Sequence, residues 1–151
     1  MSECPHKFLF APGDWLGEGT IQLNLVQEPL KFFTSWKVGS QAGAAIECMQ
    51  EVEVKGLSER MSNAFDIQIE DPGTLLIKLE NDSIGSVKGR GLWDDKVVAW
   101  EYEKEKGGEF EGFEIFELQK DGTYLFRSEF ISQDQLRSSI SGKLWLKGEA
   151  K

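Results

Sequence analysis

The sequence predicts an all-β protein, a single up-and-down antiparallel β-barrel of about ten strands. Three observations carry this. Apolar and polar residues alternate with period two along nearly the whole chain. Turn signals recur at the eight-to-twelve-residue spacing of an all-β sandwich or barrel. The 151 residues include ten Phe, five Trp and two Tyr with sixteen Gly and only four Pro, a composition suited to pleated, half-buried surfaces joined by short turns. An open meander of this length would expose two edge strands, and pairing the first strand with the last removes both.

The elements follow in order. Residues 1–13 form an amino-terminal arm ahead of the barrel, and the whole chain, 1–151, is expected to be one domain. "DWLGEGTIQLNL" sets Trp15, Gly17, Gly19, Ile21, Leu23 and Leu25 against Glu18, Thr20, Gln22 and Asn24. Its glycines let the strand coil, and Trp15 fills a tapering floor. Gly85, Gly89, Gly91 and Gly142 are expected to bend other strands. "LKFFTSWKV" and "AAIECMQEVEVKG" alternate again. The stretch from Gln41 to Met61 is rich in helix formers, but its second half alternates too cleanly for a helix. "RMSNAFDIQIE" puts Met61, Phe65, Ile67 and Ile69 on the dry face. "DPG" then turns the chain, because proline presets φ and glycine supplies a positive one. "TLLIKLE", "IGSVKGRGLW", "KVVAWEYEKE", "EFEGFEIFELQ", "TYLFRSEFI" and "LRSSISGKLWL" complete the count, with "KDG" as a hairpin signal. Short connections make sequence neighbours pair in space.

By alternation, Phe32, Trp36, Phe65, Trp100, Tyr102, Tyr124, Phe126 and Phe130 share the interior, with Asn63, Ser128 and Thr34 as polar handles. Two strands leave their parity open. In 83–93 either Val87 and Trp93, or Ile84, Lys88, Arg90 and Leu92, face inward. In 109–119 either Phe110, Glu114, Phe116 and Leu118, or Phe113 and Ile115, do so. An inward Arg90 would suit an anionic headgroup, whereas an outward one forms a solvated cross-strand ion pair. An inward Glu114 would be a buried charge in need of partners. The candidate ligand-binding set is therefore Phe32, Trp36, Asn63, Phe65, Arg90, Trp100, Tyr102, Tyr124 and Phe126.

Catalytic signals are weak. The glutamates of 99–114 fall mostly at odd, outward positions and, interspersed with lysines, read as a charged coat. His6, the single histidine, is expected to be exposed in a mobile arm. Cys4, His6 and Cys48 match no structural zinc spacing, and neither a metal nor another cofactor is expected. The formal net charge of −9 opposes nucleic acid and anionic membrane surfaces. No stretch is apolar for long enough to span a bilayer as a helix. Two cysteines and no secretory leader point to the cytoplasm.

The "GDWLGEG" at 13–19 resembles the GxWxGxG that opens nitrobindin-like barrels. The meander around it is similar to the wider calycin group, with lipocalins and intracellular fatty-acid-binding proteins. That resemblance implies a barrel with a ligand inside. The helix pair of fatty-acid-binding proteins has no counterpart in the short "QEPLKFF". In lipocalins a last-strand arginine covers the first-strand tryptophan; here Arg137 and Trp15 both begin their strands, which puts them at opposite ends of an antiparallel pair. Nitrobindin-like domains hold haem through a histidine near the carboxyl end, where this chain has none.

These readings converge on a small soluble barrel, monomer or homodimer, whose partner is a hydrophobic or amphipathic small molecule. A packed acidic scaffold barrel and a barrel-type lyase or isomerase are the other two classes. The first needs a hollow interior, the second a filled one, and the third at least two facing ionisable groups with shifted pKa values.

Overall fold

The computed structural model describes residues 6–58, 60–70, 73–82, 85–103, 111–131 and 137–148. Ten strands account for most of them: β1 Gly13–Leu23, β2 Leu30–Val38, β3 Ala45–Val54, β4 Arg60–Ile69, β5 Thr74–Asn81, β6 Gly85–Trp93, β7 Val97–Tyr102, β8 Glu111–Leu118, β9 Tyr124–Ile131 and β10 Arg137–Leu146. Each pairs antiparallel with its sequence neighbours, and β1 pairs with β10, so the sheet closes into a barrel. The stretch with helix-forming composition is β3 and the start of β4, since alternation there buries Ile46, Cys48, Val52 and Val54.

The seam between β1 and β10 places Trp15 opposite Leu146 and Gly19 opposite Gly142. A Cβ on Gly19 would lie 2.0 Å from the Ser141 carbonyl oxygen, and one on Gly142 would lie 2.3 Å from that of Glu18. The backbones meet too closely there for any side chain. Both glycines fall on the inward parity, which leaves room for the Phe126 ring, 2.8 Å from where a Gly142 Cβ would stand. Gly85 behaves differently from the expected bend: its φ of 75° makes it a turn residue.

The two ends of the barrel differ. At the floor, residues 6–12 fold under the strands. Phe8 and Leu9 are fully buried, and the Phe8 ring lies 4.9–5.6 Å from the rings of Phe116, Trp36, Trp15 and Tyr124. Leu9 has a φ of 74°, a left-handed conformation uncommon outside glycine. It lies in a turn closed by the N–H groups of Phe10 and Ala11, which both donate to the Lys7 carbonyl, at 3.3 and 3.1 Å. His6, expected in a mobile exposed arm, is instead 3% exposed. Its Nε2 is 2.6 Å from the Asp94 carbonyl and its Nδ1 is 2.7 Å from the Tyr124 hydroxyl. A carbonyl only accepts, so Nε2 carries hydrogen and donates; in the neutral ring Nδ1 then accepts from Tyr124. Asp94 is itself fixed, its Oδ1 accepting the backbone N–H groups of Lys96 and Val97 at 2.9 Å each. Those two bonds hold its carboxyl below the usual carboxylate range.

Both open parities resolve to one set each among the described residues, outside which Ile84 and Phe110 lie. In β6 the odd residues turn inward, with Val87 and Gly89 buried and Arg90 and Leu92 exposed. In β8 the even residues do, with Glu114 and Phe116 buried. Met61, assigned to the dry face, sits half-exposed at the rim of the open end.

Two outcomes are expected. Gly19→Ala should lower unfolding stability by at least ~2 kcal/mol, because backbone and not a flexible side chain would have to move. Phe8→Ala, which empties the centre of the floor, should cost about 3–5 kcal/mol. Urea unfolding midpoints at constant m-value measure both, and an unchanged midpoint for Phe8→Ala would show that the floor segment is undocked in solution.

Candidate functional site

Above the floor, four aromatic rings close a circuit across the barrel. Trp36 stacks on Phe65 at 4.9 Å, Phe65 meets Trp100 at 6.1 Å, Trp100 meets Phe116 at 5.3 Å, and Phe116 returns to Trp36 at 6.1 Å. Below this layer the interior is filled. Above it lies a cavity of about 620 Å³ that reaches the far end of the barrel. Its apolar walls come from Ile21, Phe32, Val52, Leu79, Phe126 and Ile140.

Two polar stripes run through these walls on nearly opposite sides of the ring of strands. One crosses β5, β4, β3 and β2. Asn81 Nδ2 donates to Asn63 Oδ1 at 2.8 Å, and Asn63 Nδ2 donates to Gln50 Oε1 at 2.9 Å. Gln50 Nε2 donates to Thr34 Oγ1 at 3.1 Å, and Thr34 donates to the Glu51 carbonyl at 2.8 Å. Every link runs the same way, so the ladder satisfies its own amides and presents polar edges to the cavity without an open charge.

The other stripe crosses β7, β8 and β9 and centres on Glu114. Tyr102 donates to Glu114 Oε2 at 2.5 Å, Trp100 Nε1 donates to the Tyr102 oxygen at 2.9 Å, and Ser128 Oγ donates to Glu114 Oε1 at 3.3 Å. The indole only donates, so the Tyr102 oxygen accepts from it and the Tyr102 hydrogen is directed onto Glu114. Burial pushes the Glu114 carboxyl up to about 7, against the opposing pull of hydrogen bonds from Tyr102, Ser128 and Trp100. Burial, with the Glu114 charge beside it, also raises the Tyr102 hydroxyl well above its ordinary range.

The sequence-derived set divides accordingly. Phe32, Trp36, Asn63, Phe65 and Phe126 line the cavity. Trp100 and Tyr102 are buried behind its wall, where they hold Glu114. Tyr124 belongs to the floor with His6. Arg90 is corrected: it points outward with a 68% exposed side chain and pairs with Glu103 at 3.1 Å, because inward parity in β6 goes to Val87 and the small Gly89 and Gly91. Gln50 and Asn81 were missed, although both fall on the inward parity of their strands. Glu114 takes the inward one of the two parities that the sequence leaves open for β8. Cys48 lies on the inward face among apolar neighbours, and its thiol is pushed up to about 12 by burial and the nearby Asp66 charge, which makes it inert near neutral pH. Cys4 lies outside the described residues.

Glu114 makes stability depend on pH in a definite direction. Its folded pKa, about 7, stands above its ordinary 4.5. Between these values the folded chain holds a proton that the unfolded chain has lost. The group's contribution is therefore intact below about 4.5 and falls as pH rises to about 7. Relative to Glu114→Gln, the wild type should lose about 3 kcal/mol between pH 4 and pH 8, at 1.36 kcal/mol per pH unit. Urea titrations of both proteins at the two pH values measure the difference; a constant gap would mean that water reaches this carboxyl.

No protein-family model matches the sequence, and no curated protein matches it significantly. Among solved structures, the chain is similar to the crystal structure of Rv2717c from M. tuberculosis, with a TM-score of 0.71 at 13% identity over 90% of this chain and 92% of that one. A redesigned beta barrel superposes with a TM-score of 0.46 at 14% identity, over 99% of this chain and 100% of that one. At 13% identity the likeness to Rv2717c is a likeness of fold: a closed ten-strand antiparallel barrel.

Proposed function

We propose that this protein is a cytoplasmic, calycin-type barrel that binds an apolar or amphipathic small molecule in its interior. The cavity of about 620 Å³ carries the reading. A scaffold barrel needs no such space, and proteins seldom keep an apolar void of this size without an occupant. The aromatic layer beneath it supplies a rigid base, so affinity comes from removing apolar ligand surface from water at about 25 cal/mol per Å², less the costs of association. The amide ladder and the Glu114 group give an amphipathic ligand an orientation. The net charge of −9 favours neutral or cationic ligands over anionic ones.

The catalytic reading draws support from one observation, the adjacent Tyr102 and Glu114 with raised pKa values. Among the described residues only Glu114 of the two lines the cavity, so the pair offers a ligand a single ionisable contact. Binding is the better account.

Nile red should gain fluorescence with the purified protein at micromolar affinity. Ile140→Trp, which adds bulk to a cavity-lining position, should weaken that binding about tenfold or more while the unfolding temperature stays within a few degrees. Equal binding by both proteins would place the dye elsewhere. Absence of binding to the wild type would defeat the reading.

A further inference from the structure

The cavity carries one feature that a simple hydrophobic container does not need. Glu114 is 7% exposed and lines the cavity, and the next inward pair along its ladder, Phe116 and Phe126, lines it too. Tyr102 occupies Oε2 at 2.5 Å, whereas the Ser128 contact on Oε1 is long at 3.3 Å. A carboxylate offers about four acceptor positions, so Oε1 retains capacity toward the cavity. The relay from Trp100 through Tyr102 delivers hydrogen bonds that suit an ionised acceptor.

Among the described residues no cation pairs with that charge. Among the described residues lining the cavity, Arg60 is the one cation. It stands at the rim with a 63% exposed side chain, 3.5 Å from Glu51 and 3.8 Å from Glu53. Arg90 and Arg127, on strands flanking the Glu114 group, point outward; Arg90 is held by Glu103 and Arg127 lies over the Phe113 ring at 5.9 Å. A buried carboxylate without a cation is costly, and a ligand that brought one would remove the cost. A carboxylate ligand, by contrast, would meet Glu114 and Asp82, the two acids among the described lining residues, where the one cation, Arg60, is already paired with Glu51 and Glu53.

We propose that the cavity selects molecules with an apolar body and a protonated nitrogen, the ammonium donating to Glu114 Oε1 while the body lies against Phe32, Phe126 and Val52. This rests on the ligand-binding reading and names its ligand class. The site is a built one: three consecutive strands supply the carboxylate and its donors, and the opposite wall supplies neutral amides.

Octylamine, 1-octanol and octanoate share one apolar body and differ in headgroup, so calorimetric titration at pH 8 separates charge from burial. The amine should bind about tenfold or more tighter than the alcohol, and octanoate weakest. Glu114→Gln should bring the amine down to the alcohol while leaving the alcohol unchanged. Glu117→Gln, which removes an equal charge from the outer face, should leave the amine preference intact. If Glu114→Gln lacks a cooperative unfolding transition, Glu114→Asp replaces it: the charge is kept but withdrawn by one methylene, and the preference should narrow. Equal binding of the three probes by the wild type, or a preference that survives undiminished in the Glu114 variant, overturns the amine inference and leaves the hollow barrel standing. Failure of all three to bind overturns both.

Discussion

Closure of the sheet is the constraint from which the other features follow. It is made at the seam where β1 meets β10, and the seam exists because Gly19 and Gly142 allow two backbones to approach within a distance that no side chain could share. Once the ring is closed, every inward residue competes for one interior. Small residues on one strand then have to face large ones on the next. Gly91 pairs with Trp100 and Gly89 with Tyr102, while Gly142 pairs with Phe126. The aromatic content of the chain is thus accommodated by its glycine content, and neither would be tolerable without the other.

The interior is partitioned, not uniform. The lower half is a solid of rings anchored on Phe8, and the upper half encloses the cavity with its two polar stripes. Stability resides mainly below, and the proposed recognition above. This separation explains how a buried carboxyl that weakens the fold at neutral pH can be carried: the floor supplies the stabilisation that Glu114 removes. The two stripes also differ in kind. The amide ladder is closed on itself and neutral, whereas the Glu114 group ends in an acceptor that faces the cavity.

Much of the fold is legible in the sequence because period-two alternation is a local property that closure does not disturb. The strands from 15 to 69 can be placed by pattern alone, with Phe32, Trp36 and Phe65 among the inward residues, and so can β9 with Phe126. What could not be read depends on non-local facts. In β6 both faces carry polar or small residues, so nothing in "SVKGRG" distinguishes an inward Gly89 from an inward Arg90; the decision is made by the bulk of Trp100 and Tyr102 across the ladder. In β8 both parities are apolar enough, and Glu114 is carried inside by the register that buries Phe116. His6 was misjudged because an apolar "HKFLF" close to a terminus gives no sign of the hole it will fill; only the ring of strands reveals that hole. Gln50 stands as a lone glutamine in an apolar series, and only the neighbouring strands show it to be one rung of a ladder built from four.

The docked amino-terminal segment ties together parts of the chain that are made far apart in time. His6 and Phe8 leave the ribosome long before Tyr124 and Phe116, their partners, and β1 waits for β10 across more than a hundred intervening residues. Closing so long a loop is an entropic toll levied before any contact rewards it, and topologies of this type assemble slowly. The backbone bond from Lys147 to Asp14, at 2.8 Å, shows how little separates the two ends once the work is done. Fraying of β1 and fraying of β10 therefore open the same joint.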